Sequence, residues 1–170
     1  MDITQLILDD HNEQRRLFAI LAEMEPSNTE GLKAVWNRLS AHLEAHVAGE
    51  EKIFYPELLR LGAEIGMKDS LEAETKHAIK DHNKIRDCLA TAKGQPVGSE
   101  GWFAAVADVN KENGKHMDEE EREGLEDFRR SAPLKLRHDL AVTFAVFECS
   151  HLTGAKTVHQ DPEMYVQQHA

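Results

Sequence analysis

The chain has 170 residues, a formal net charge of −11 and ten histidines. That length suits one domain with a real core. The acidity runs along the whole chain without a basic patch, which argues against nucleic acid and anionic membrane as partners. Cys88 and Cys149 lie far apart and outside any C-x-x-C pair, and Met1 to Asp10 lacks the basic start of a secretory signal. The longest apolar run, Leu140 to Phe147, is far short of a membrane span. The expectation is a cytoplasmic protein with reduced thiols.

Ile3, Leu6, Ile7, Leu17, Ile20, Leu21 and Met24 recur at three- and four-residue steps and predict a first helix over 3–24. Pro26-Ser27-Asn28 ends it and offers a cap to a second helix over 29–55, which Pro56 ends or kinks. Glu57 to Leu61 adds a short turn before Gly62 and Gly66. Ser70 is a candidate N-cap for a third helix to Lys93, with Glu72 to Glu74 in the turn where the dipole favours anions. After the loop Gly94 to Ser99, a fourth helix runs over 101–128 and Ser131-Ala132-Pro133 breaks it. A further helix spans 134–156, and the tail beyond Val158 carries no strong signal. No stretch shows strand alternation. The chain therefore reads as all-α, an antiparallel up-down four-helix bundle with an additional C-terminal helix. Residues 1–130 make the bundle, and residues 131–170 form a helix and tail packed on it.

One pattern is written twice along these helices. Asp10-His11-Asn12 leads to His46-x-x-x-Glu50-Glu51, and Asp81-His82-Asn83 leads to His116-x-x-x-Glu120-Glu121. His11 and His82 are 71 residues apart, as are Arg15 and Arg86, while His46 and His116 are 70 apart. Residues four apart share a helix face, so His46 with Glu50, and His116 with Glu120, project together. His11 and His82 come singly from the other two helices. An antiparallel bundle would gather four imidazoles and two carboxylates about its axis. Left unpaired in an apolar core, each would cost roughly 1–3 kcal/mol even when neutral, and bound cations remove that cost. Six donors suit two ions sharing carboxylates, since a reactive site keeps open positions. Imidazole and carboxylate without thiolate fit iron, manganese or zinc.

On these residues the chain resembles the hemerythrin family, and within it the hemerythrin-like HHE cation-binding domains. Asp10-His11, His46 to Glu51 with Phe54-Tyr55-Pro56, Asp81 to Arg86, and His116 to Glu121 carry the likeness, over about residues 1–130. The resemblance implies a four-helix bundle around two iron ions, an oxo- or hydroxo-bridged di-iron centre, with manganese or zinc as lesser alternatives. By position, His11, His46, His82 and His116 would be terminal ligands and Glu50 and Glu120 the bridges. Hemerythrins proper carry a histidine four residues before the one matched by His82, where this chain has Ala78. The nearest, His77, is five before and points about 140° away on a regular helix; a π-bulge would bring it round as a further ligand.

Around this set stand further candidates. The Tyr55 phenol, near such a centre, is a catalytic candidate as hydrogen-bond donor, ligand or carrier of an oxidising equivalent; otherwise it is a packed aromatic before Pro56. His42 is placed outside the ligand set. Arg15 and Arg86 either pair with a ligand or neighbouring glutamate or are solvated. Glu51 and Glu121 are expected to face outward, and Glu148 and His151 to serve structure. The function expected is binding or reduction of a small oxidant, first hydrogen peroxide or another reactive oxygen species in a catalase- or peroxidase-like reaction. The alternative is an oxygen or nitric-oxide binding, sensing or iron-handling module without turnover. The partner is a small molecule (peroxide, O2 or NO), and the protein a monomer or weak homodimer.

Overall fold

The computed structural model describes residues 1–156 and 158–170, and among them every regular element is helical. Helix α1, Ile3–Glu23, starts where the Asp2 carboxylate accepts the Thr4 amide at 3.0 Å. Asn28 caps α2, Thr29–Gly49, by accepting the Gly31 amide at 3.1 Å. A π-helical turn over Glu50–Phe54 runs on without a loop into α3, Tyr55–Ile65, which Gly66 closes at φ 78°. Then come α4, Lys68–Lys93, and α5, Glu100–Arg122, the latter capped by Ser99. The chain ends with α6, Gly124–Ser131, α7, Leu134–Cys149, and α8, Pro162–His169. Among the described residues no helix is long and apolar enough to cross a membrane.

Several boundaries differ from the sequence expectation, each for a local reason. Pro56 ends nothing. It sits in the first turn of α3, where its fixed φ suits the helix. The π turn directs the Tyr55 amide to the Glu50 carbonyl, one residue further back than in an α-helix. In that register the Glu51 carbonyl would look to residue 56, which has no N–H. The Tyr165 hydroxyl, from α8, donates to it instead. Ser70 is not a cap, because α4 begins two residues earlier and the Ser70 hydroxyl bonds Glu74 at 3.1 Å. The expected fourth helix divides at Glu123, whose backbone (φ −116°, ψ −90°) leaves the helical region. Helix α7 stops at Cys149, with the Ser150 hydroxyl folded back on the Val146 carbonyl at 2.8 Å. Helix α8 was not expected at all. Its start has a readable signature: Asp161 accepts the Met164 amide at 2.8 Å, and Pro162 takes the first helical position.

Helix α4 lies along α5 and also packs on α3 and α8, while α1 packs on α2 and α7. The interior falls into two apolar groups. One holds Ile3, Ile7, Phe54, Leu58, Ile79, Leu125, Phe128 and Phe144. The other holds Leu17, Leu39, Leu43, Ile85, Val109 and the edge-to-face pair Trp36 and Trp102, 5.8 Å apart. Between them in sequence, on four different helical segments, come His11, His46 with Glu50, His82, and His116 with Glu120, each at most 6% exposed. A layer of histidines and glutamates thus separates the two apolar groups along each of these helices.

Candidate metal centre

Each polar residue of this layer sits one helical step from an apolar one, so the stripes that bury the helices also bury the polar groups. His11 follows Ile7 and His82 follows Ile79. His46 follows Leu43, and Glu50 comes one turn after His46, at the start of the π turn. Two groups of donors result, and they share one carboxylate. His11, His46 and Glu50 offer donor atoms within 4.8 Å of one another, and Glu50, His82 and His116 do the same. His46 Nε2 lies 2.9 Å and His11 Nε2 4.0 Å from Glu50 Oε1. His82 Nε2 and His116 Nε2 lie 3.2 and 3.8 Å from Glu50 Oε2. Glu120 stands on the His11 side, its Oε2 3.4 Å from His11 Nε2.

These approaches leave the donors unsatisfied. His11 Nε2, His46 Nε2, both Glu50 oxygens and Glu120 Oε2 are buried and make no hydrogen bond. The exception is His82 Nε2, which meets His116 Nε2 at 3.1 Å. Buried polar groups normally find partners, and five orphaned atoms, two of them Glu50's own oxygens, are a heavy burden for a core of this size. The arrangement is compatible with a metal-binding site, and imidazole with carboxylate is a donor set that iron, manganese and zinc all accept.

The far sides of the imidazoles are held from outside the layer. His11 Nδ1 meets Glu121 Oε1 at 2.9 Å, and Arg15 donates to the same oxygen at 2.8 Å. His82 Nδ1 meets Glu51 Oε1 at 2.9 Å, and Arg86 donates there at 2.6 Å. Each half of the repeat thus supplies the glutamate that orients the other half's histidine. This corrects the expectation that Glu51 and Glu121 face outward. Both share the 70-residue offset of His46 and His116, a signal that was present in the sequence. The repeat breaks at the third pair. Asp10 Oδ2 faces His46 Nδ1 at 3.2 Å, whereas Asp81 is taken up by Lys84 and Lys115.

The local charges follow. For His82, burial disfavours the cation, but the carboxylates of Glu50 and Glu51 outweigh it and raise the pKa from 6.5 to about 9. Burial opposes protonation of His46 and His11 too, and carboxylates again prevail, raising both. The hydrogen bond from His11, with help from Arg15, lowers Glu121 to about 2. Glu148, expected to be structural, lies beside Asp10 and His46 as a third carboxyl-bearing neighbour. Burial first, and then the Asp10 charge, raise its pKa to about 8. His42 is 3.7 Å from Asp10 Oδ1 and outside the buried layer, as expected.

Tyr55 is buried, and its hydroxyl donates to Glu120 Oε1 at 2.7 Å. Burial, with the charges of Glu120 and Glu50, pushes its pKa well above the usual 10, so it keeps its proton. His77 does not join the layer. Helix α4 is regular through Lys68–Lys93, and the π turn lies at Glu50–Phe54 instead, so the five-residue step leaves His77 on the outer face. Its side chain is 53% exposed, with Nε2 3.6 Å from Asp81 and 3.5 Å from Glu119. The family model described as the Hemerythrin HHE cation binding domain matches residues 2–126. No curated protein sequence and no solved structure matches the chain.

Proposed function

Since the chain belongs to the hemerythrin HHE cation-binding domain family, we propose that the buried layer is a two-ion iron centre that binds and reduces a small oxidant, first of all hydrogen peroxide. The observation that carries this reading is the pair of three-residue donor groups sharing Glu50, in which His11 Nε2, His46 Nε2 and both Glu50 oxygens are buried without a hydrogen-bond partner. In this reading residues 1–130 form the antiparallel four-helix bundle of α1, α2, α4 and α5, and residues 131–170 cover it. His11, His46, His82 and His116 would hold the ions, with Glu50 between them and Glu120 on one flank. When bound, iron supplies the Lewis acidity and the electrons for reduction.

The chain's own residues set the conditions for that chemistry. Glu51 and Glu121 hold the Nδ1 side of His82 and His11, which leaves Nε2 of each ring directed into the layer. The Tyr55 hydroxyl holds Glu120 Oε1 and leaves Glu120 Oε2 directed at the layer. Its retained proton makes Tyr55 a hydroxyl donor on that side. Phe144, edge-on to His46 at 6.0 Å, and Phe54, 5.5 Å from the Tyr55 ring, place apolar rings beside the site.

A second reading, a sensor that ligates without turnover, is favoured by one specific contact set. Glu51 touches the His82 ring on one side, while its Oε2 accepts from Gln160 at 3.0 Å and its carbonyl accepts from Tyr165. A shift of His82 would therefore reach the C-terminal segment. Elemental analysis together with oxygen evolution on adding peroxide separates the readings. Iron with turnover supports the enzyme. Iron that changes its spectrum without turnover supports the sensor, and a chain that holds no iron overturns both.

A further inference from the structure

The buried layer has a small cavity beside it, and the mouth of that cavity carries a donor set of its own. The cavity, about 30 Å³, lies between α3, α4 and α5 and holds roughly one water-sized guest. Tyr55, His116 and Glu120 line its inner end and His77, Asp81 and Glu119 its outer end. At the mouth, one donor atom from each of His77, Asp81 and Glu119 lies within 4.8 Å of the others. One imidazole and two carboxylates suit a divalent first-row ion and leave positions for water.

Two further observations point to a cation. Thr75 lines the same cavity, is fully buried, and its hydroxyl has no partner. Glu120 lines the cavity too, and its Oε2 is likewise buried without a partner. Glu74 and Glu123 add carboxylates to the lining, so the passage concentrates cations and repels anions. The Lys115 ammonium already occupies the mouth, 3.4 Å from both His77 Nε2 and Asp81 Oδ2 and 3.6 Å from Glu119 Oε1. Its side chain is 45% exposed, and ion pairs at such positions hold weakly, so it can swing aside.

We propose that His77, Asp81 and Glu119 form an outer site for a divalent transition-metal cation, which passes along this cavity to load the buried centre. The inference rests on the buried layer being a metal centre, as proposed above. Metal-free full-length protein is titrated with Mn2+ alone, and the filling rate is followed at low micromolar ion. The wild type should bind one weaker equivalent beyond the buried complement. His77→Ala and Glu119→Gln should each lose that equivalent, keep the buried complement, and fill it about tenfold more slowly, the scale of an electrostatic funnel. Lys115→Ala should tighten the outer site and speed filling. His46→Ala should retain the outer equivalent while losing buried ions. Unchanged stoichiometry in His77→Ala and Glu119→Gln overturns the outer site, and an unchanged filling rate overturns its loading role. If the wild type and His46→Ala take up the same Mn2+, the buried-centre reading itself falls, and the loading proposal with it; that signature differs from failure at His77 alone.

Discussion

Glu51 and Glu121 decide how the imidazoles stand, because a ring held at Nδ1 has only Nε2 left to present. Each also takes an arginine, Arg86 or Arg15, on the same oxygen. Replacing Glu51 with Gln keeps the shape and removes the charge that His82 leans on. Metal affinity should fall about 10- to 100-fold, measured by competition with a chelator, while helical content stays unchanged. Tyr55→Phe removes the single bond that fixes Glu120 Oε1. In the proposed reading it should leave metal content intact and lower peroxide turnover, and it should cost about 1 kcal/mol of stability in denaturant unfolding. Protonation gives a test with a defined sign. His82 is raised to about 9 in the folded chain. The stabilisation it brings to metal-free protein is therefore complete below the ordinary value near 6.5 and lost as pH climbs through about 9. Ligation needs the neutral ring, so metal affinity rises over the same window. The Tm of metal-free protein should fall from pH 6.5 to 9, and the gap to the metal-loaded protein should widen. An unchanged gap across that window would remove histidine from the ligand set.

The α2–α3 segment shows how an element is built around one site. The π turn places Glu50 and Glu51 in succession, one carboxylate inward and the next against His82. Its cost is the Glu51 carbonyl opposite Pro56, and α8 supplies the missing donor through Tyr165. Tyr165→Phe leaves that carbonyl buried without a partner and should cost about 1–3 kcal/mol. Pro56→Ala restores an N–H at residue 56. The double variant should then lose less than the sum of the singles, a coupling that a double-mutant cycle reads directly. Much of this was not visible in advance. A proline in a helical pattern predicts a stop or a kink, and the tyrosine that makes continuation possible lies 109 residues further along the chain. Helix caps were more legible where a side chain one turn away settles the matter. Asn28 was anticipated and Asp161-Pro162 could have been, whereas Ser70 was misread because α4 starts before it.

Across the molecule, α7 closes the bundle over the polar layer, and Gly49 sets how near it comes. A Cβ there would meet Phe144 at 2.9 Å. Alanine would gain about 1 kcal/mol of helix propensity, but overpacking against a fully buried ring costs typically 1–3 kcal/mol. Gly49→Ala should therefore destabilise the protein, and thermal unfolding gives the sign. Metal should act on the whole fold too. Ion at about 100 times its Kd adds about 2.7 kcal/mol by mass action, so chelation should lower Tm, and should do so far less in His46→Ala. The sequence by itself determined the helical class, because its apolar spacing admits no strand. It also singled out the six donors that meet in the layer, because a repeated motif on amphipathic helices must bury both copies alike. Only the tertiary structure decided the rest. It put the π turn at Glu50 instead of near His77, leaving His77 on the outer face. It crossed the glutamates between halves and folded α8 back onto Glu51. Such pairings depend on which helices touch, and a one-residue change of helical register is invisible in periodicity alone.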